Sequence, residues 1–111
     1  MAYWIDISTS QHKLKLYNDS NLIKVYPIGV GKMLSPTPTG TYFIENKQVN
    51  PGGPYGVLWM GLSKPHYGIH GTNDPDSIGK NVSAGCVRMY NYDILDLSSK
   101  ARIGTKVNIH V

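Results

Sequence analysis

The sequence predicts a mainly β domain with one packed α-helix near the C-terminus, on three observations. Short runs in which apolar and polar residues alternate recur along the chain, among them Ile5/Ile7, Leu14/Leu16 and Val107/Ile109/Val111. The 12 glycines and 7 prolines cluster between such runs, where they act as turns. Helical spacing of apolar residues is convincing only beyond Asn91.

Taken in order, Ile5 and Ile7 define a first strand, and Ser8-Thr9-Ser10-Gln11 turns it into a second one carrying Leu14 and Leu16. "NDSN" (Asn18 to Asn21) is another turn and leads into "LIKVYPIGVGK", which ends in a bend at Gly29 and Gly31. Proline has no N–H to give a sheet ladder, so "SPTPTGTYFI" reads as a loop feeding the strand Thr41-Tyr42-Phe43-Ile44. "NPGGPYG" (Asn50 to Gly56) is too rich in proline and glycine for regular structure and reads as an exposed loop. "VLWMGL" follows as a strand, then Tyr67 to His70 as another, released at Gly71. Asp74-Pro75 opens a short helical turn. The helix starts with Asn91 as N-cap and Asp93 in its first turn, carries Ile94, Leu97 and Ala101 on one face, and closes at Gly104. The alternation of Val107, Ile109 and Val111 makes the last strand.

With 111 residues the chain is read as one domain, 1–111, with a single modest core. Its 41% hydrophobic and 16% charged residues exclude a disordered chain. No apolar run reaches the roughly 20 residues of a membrane helix, and "MAYWIDIS" has neither the basic start nor the apolar stretch of a secretion signal. A soluble protein with no membrane insertion is expected, monomeric by default. The net charge of +4 comes from lysines scattered along the chain, unlike the clustering of a nucleic-acid groove, so no nucleic-acid partner is expected.

Cys86 is the only cysteine, which rules out an internal disulfide. It sits in "SAGCVRM", between Gly85 and Val87-Arg88. Small residues before it let the backbone approach a bound carbonyl, with the N–H groups of Gly85 and Cys86 aimed at a developing oxyanion. A thiol with an ordinary pKa near 8.5 needs a base or a cation to react at neutral pH. His12, in the first hairpin, and His110, in the last strand, read as surface or edge residues. His70 ends a strand sixteen residues before the thiol and is the better placed base, and an imidazolium there would favour the thiolate. Two other readings remain open from the residues alone. One is a buried inert thiol. The other is a zinc site of His66, His70 and Cys86, although Pro65, Gly68 and Gly71 break any helix there and no paired spacing supports metal.

The chain resembles the L,D-transpeptidase catalytic domains of the YkuD family. "KLKLYNDSNLIKVYPIGVGK", "TPTGTYFI", "YGIHGTN", "SIG", "SAGCVRM" and "GTKVNIHV" fall in the family's order. IHGT followed at this distance by S-x-G-C-V-R-M is the specific part. The resemblance implies a β-sandwich or barrel of mixed strands. It implies Cys86 as nucleophile, His70 as its base and the backbone carbonyl of Gly71 as the group that fixes the imidazole. Ser83, Gly85 and Arg88 match the rest of the signature. Gly85 then belongs to an oxyanion loop, and Arg88 either holds that loop or meets a substrate carboxylate. Tyr67 and Trp59 are candidates to line the cleft, with core packing the better reading for Trp59. "NPGGPYG" is a candidate flap. Where many members carry histidine before the Gly-Cys pair, this chain has Ala84, a departure that bears on acceptor binding or on pKa tuning.

The implied reaction is acyl transfer on peptidoglycan stem peptides, donor and acceptor, in the cell envelope and with no cofactor or metal. Cys86 attacks the third residue of a stem tetrapeptide, releases the terminal D-alanine and leaves a thioester. An amine of a second stem then forms a 3→3 cross-link. Water in place of the amine would make an L,D-carboxypeptidase. A sortase-like transpeptidase fits less well, since it predicts a distant arginine rather than one two residues from the thiol. A silent wall-binding module has no need of Cys86, His70 and Arg88 together.

Overall fold

A computed structural model describes residues 2–32, 36–83 and 85–111. Strands β1 (Tyr3–Ser8) and β2 (Lys13–Asn18) form the first hairpin. Its alternation is expressed as predicted: Ile5, Ile7, Leu14 and Leu16 are fully buried, while Lys13 is exposed. β3 (Asn21–Pro27) continues antiparallel at the sheet edge and β4 (Val30–Gly31) follows the bend. The long β5 (Gly40–Val49) leads through the Asn50–Gly56 loop into β6 (Leu58–Leu62), and β7 (Gly68–His70) returns against it. Then come β8 (Asn81–Ser83), β9 (Val87–Arg88), helix α1 (Asn91–Ser98) and β10 (Lys106–His110).

Eight strands form one mixed sheet in the order β3-β2-β1-β10-β5-β6-β7-β9, and β4 pairs with β8 in a separate two-stranded piece. Two pairings are parallel within the large sheet, β1 with β10 and β7 with β9. The sheet curls until its ends nearly meet, because Gly29, just beyond β3, exchanges both backbone hydrogen bonds with Arg88 of β9, each 2.9 Å. The mixed strands thus make a curled half-barrel, mainly β with one helix near the C-terminus.

Helix α1 buries Ile94 and Leu97 and packs against β6 and β7. Asp96 anchors it to β3 by accepting from the Tyr26 hydroxyl (2.6 Å) and from Lys24 (3.1 Å). These hydrogen bonds, with that of Lys100, hold the Asp96 carboxyl well below the usual carboxylate range. In the same last turn Lys47 of β5 donates to the Ser98 carbonyl at 3.0 Å, a cation where the helix presents free carbonyls.

Three boundaries differ from the sequence reading. Tyr90, not Asn91, occupies the N-cap, because the Asn91 carboxamide is engaged elsewhere, accepting from the N–H groups of Thr72 (3.0 Å) and Val57 (3.4 Å). The helix ends at Ser98, so buried Ala101 lies on the turn after it, and Gly104 (φ 95°) serves the turn into β10 rather than closing the helix. Val111 lies beyond β10 and is 76% exposed, so it does not continue the core face of Val107 and Ile109.

Candidate active site

Strand alternation builds the site. Ile69 of β7 pairs with Val87 of β9, and both are buried in the core. Their successors His70 and Arg88 also pair and share the opposite face. On the other side of β7, His70 pairs with Trp59 of β6, which gives a row Trp59–His70–Arg88 across three strands. Cys86, two residues before Arg88, falls on the same face as that row. Pro54, Tyr55, His70, Ser83, Cys86 and Arg88 together line a cavity of about 160 Å³.

His70 is 2% exposed. Its Nδ1 lies 2.5 Å from the Gly71 carbonyl oxygen, which only accepts, so Nδ1 carries the proton and Nε2 keeps its lone pair. Trp59 stacks on the imidazole (centroids 5.6 Å apart, planes 16° apart) and Tyr55 meets it edge-on at 5.1 Å. Gly71 is itself held, by its own N–H to the Leu58 carbonyl (3.0 Å) and through Asn91, which binds the next N–H along. Burial pushes the imidazole pKa down to about 4; the Gly71 hydrogen bond resists this and the Arg88 charge adds to it.

Burial also pushes the Cys86 thiol up, against smaller downward contributions from a Gly68 backbone hydrogen bond and the Arg88 charge. The thiol donates weakly to the His66 carbonyl at 3.7 Å. Both shifts favour uncharged partners, so the resting pair is thiol and imidazole. The expectation of an imidazolium that promotes the thiolate is overturned, because burial disfavours both charges. Alkylation with iodoacetamide at neutral pH should therefore be slower than for a free cysteine, by roughly threefold for each unit of rise in the thiol pKa. The inflection of the rate profile should lie above the ordinary value, and an inflection on its acid side would contradict this account.

The loop before Cys86 is organised by Ser83. Its hydroxyl donates to the Cys86 carbonyl (2.6 Å) and accepts from the Gly85 N–H (3.2 Å). The Gly85 N–H is thus occupied, and the expectation that it faces an oxyanion is corrected; of the two N–H groups expected there, only that of Cys86 is left. Gly85 has φ +119°, and a Cβ there would sit 2.5 Å from Cε1 of Tyr67. Tyr67 therefore packs under this loop instead of lining the thiol cavity. Ala84 lies outside the described residues. His66 adopts φ 72°, strained for a residue with a side chain, and so brings its carbonyl to the thiol.

Trp59 is not a core residue, contrary to the preferred sequence reading. It forms, with Gln48, Pro51, Tyr55 and His66, a second cavity of about 360 Å³ that shares Tyr55 with the first. Gly68 makes room for the indole, since a Cβ there would meet Trp59 Cζ2 at 2.7 Å. Tyr55 and Asn91 were missed. The first stands in a loop whose only sequence signal was glycine and proline, and the second had a local reading as a helix cap. Among the described residues, no three His, Cys, Asp or Glu side chains converge as metal ligands would.

A sequence model of the YkuD L,D-transpeptidase catalytic domain matches residues 2–109. The chain is 55% identical over 109 residues to a protein named L,D-transpeptidase YkuD from Bacillus licheniformis, covering 98% of this chain and 66% of that protein. It is 53% identical over 110 residues to the protein of the same name from Bacillus subtilis, covering 99% and 67%. The chain thus spans about two thirds of the length of these relatives. Among solved structures, L,D-transpeptidase 3 from Mycobacterium tuberculosis superposes with a TM-score of 0.85 at 20% identity, over 99% of this chain and 61% of that one. An L,D-transpeptidase solved in complex with imipenem superposes with a TM-score of 0.84 at 16% identity, over 98% and 59%. At these identities the superpositions speak for the fold.

Proposed function

We propose, from the premise that the chain belongs to the YkuD family of L,D-transpeptidase catalytic domains, that residues 1–111 form a catalytic unit which transfers acyl groups between peptidoglycan stem peptides through Cys86. The observation that carries this reading is the shared cavity of Cys86 and His70, with the imidazole Nε2 left free by the Gly71 carbonyl. Nε2 takes the thiol proton as sulfur attacks the carbonyl of the third residue, an L-centred diamino acid, of a stem tetrapeptide. A neutral starting pair makes this proton transfer part of the attack rather than a step before it. The Cys86 N–H is the backbone donor available to the oxyanion. As the tetrahedral adduct collapses, the imidazolium returns the proton to the departing nitrogen, free D-alanine leaves and a thioester remains. The side-chain amine of a second stem then attacks the thioester, loses its proton to His70, and forms the 3→3 cross-link while the thiol is restored. A place in the cell envelope, where such stems are found, is part of this proposal. No step calls for a metal or cofactor.

Incubation with disaccharide tetrapeptide and mass spectrometry of the products tests the reading. A dimer lacking one D-alanine is expected. Tripeptide alone would replace transfer with L,D-carboxypeptidase action, and unchanged substrate would leave a wall-binding module. A second expectation follows from the same nucleophile. A carbapenem presents a strained amide whose ring opening retains every atom, so one ligand mass should be added, at Cys86, by intact-mass analysis and peptide mapping. An adduct elsewhere, or none after prolonged exposure, counts against the assignment.

A further inference from the structure

We propose that Arg88 is the binding site for the free carboxylate of the acyl donor's terminal D-residue, the residue that leaves, and that seating this carboxylate makes His70 a stronger base. The proposal rests on the acyl-transfer reading above and adds to it a donor-recognition site.

Arg88 Nε is buried and has no hydrogen-bond partner among the described residues. The ion pairs among those residues are made by Lys24, Lys100 and His110 with Asp96 and Asp6, none of which lines the thiol cavity. A buried N–H donor without an acceptor carries a desolvation cost that nothing among the described residues offsets. Its backbone is fixed all the same, by two hydrogen bonds to Gly29 and by pairing with His70. A half-buried guanidinium on the wall of the cavity, with no ion-pair partner among the described residues, suits a planar anion supplied by the ligand, since its fork matches a carboxylate.

Position selects which carboxylate. Arg88 stands two residues beyond Cys86 and lines the same cavity. In the donor, the terminal carboxylate lies one residue, about 3.5 Å, beyond the carbonyl that sulfur attacks. A carboxylate that close to the attacked carbonyl stays within the cavity that Cys86 and Arg88 share. A longer stem would place its carboxylate at least one residue, about 3.5 Å, further from the attacked carbonyl. The second effect follows from charge. Arg88 is one of the groups that disfavour the imidazolium, and a bound carboxylate cancels that influence. His70 then gains proton affinity when a correct donor is seated.

The test is single-turnover acylation of Cys86, read as acyl-enzyme mass against time. The donors are a tetrapeptide with a free D-alanine carboxylate and the same peptide ending in D-alanine carboxamide. For wild type the amide donor should lose roughly 10- to 100-fold in rate, the worth of a charge-assisted hydrogen bond. In Arg88→Gln both donors should react at the slow rate, without a further penalty for the amide. Arg88→Lys should regain part of the discrimination. At saturating donor, the acid limb of the wild-type rate profile should lie at higher pH with the free acid than with the amide. Two further donors, with the side-chain carboxylate of the third residue free or amidated, should react alike. Equal rates for the two C-terminal forms in wild type overturn the proposal while leaving acyl transfer standing, and this arm needs no folded variant. Discrimination that follows the side-chain carboxylate, or survives in Arg88→Gln, also overturns it. No acyl-enzyme with any donor overturns the acyl-transfer reading itself, and this inference with it.

Discussion

Cys86→Ala is expected to abolish transfer and hydrolysis, a loss of about 10⁴-fold or more, without disturbing the fold. Among the described residues that line the cavity, Ser83 has its hydroxyl committed to the Cys86 carbonyl and Tyr55 sets its ring edge-on to the imidazole, so neither takes its place. The structural cost is small, since the replacement deletes one partly buried sulfur and leaves intact the backbone bonds that shape the loop. About 1 kcal/mol or less of stability is at stake. Product analysis by mass spectrometry, with thermal unfolding of both proteins, separates the two effects. Substantial turnover in a folded Cys86→Ala protein would remove the nucleophile assignment.

His70→Ala should lower acylation by about 10² to 10⁴-fold, the usual worth of a positioned general base. His66 cannot substitute, because it meets the thiol with its main-chain carbonyl. The acid limb supplies an independent check. The imidazole must be neutral to act, and with its pKa near 4 in the free protein, wild-type activity at limiting donor should persist through pH 6 and fall only around pH 4. Stability follows the same group. In the unfolded chain His70 takes a proton near the ordinary 6.5, so between pH 6.5 and about 4 the unfolded state binds more protons and stability declines as pH falls. His70→Ala should lose less of its unfolding temperature across that window than wild type does. An activity limb near pH 6.5, or identical acid sensitivity in the variant, would show that the ring is not held neutral.

Long alternating strands were legible, because burying one face imposes a period of two that Ile5/Ile7 and Leu14/Leu16 display. β4 and β9, two residues each, carry no such signal; they exist because β8 and β7 lie beside them. Asn91 was misread for a related reason: a local rule named it a cap, while its carboxamide was recruited by distant N–H groups. At the site, the meeting of Cys86 and His70 in one cavity was legible and their charge states were not. Burial decides those, and it depends on Trp59, Tyr55 and a curled sheet that no short motif encodes. Trp59 illustrates the limit well, since its apolar bulk promised burial without saying on which face of the sheet.

The position of β10 reaches beyond statics to how the chain assembles. Lys106–His110 lies between β1 and β5, so the strand made later than any other here occupies the middle of the sheet. Until it arrives, β3-β2-β1 and β5-β6-β7-β9 are two pieces without a seam. Each of them exposes a raw edge where β10 will insert. Asp6 closes the seam by accepting from Asn108 (3.1 Å) and His110 (2.8 Å), partners about a hundred positions further along the chain. Such contacts carry the full entropy of a long loop, which makes folding slow and leaves sticky edges open meanwhile. During synthesis the strands that carry His70 and Arg88 emerge well before they can be held in place. The nascent chain therefore holds Cys86, His70 and Arg88 on a half-sheet whose edge stays open until the final strand slots in.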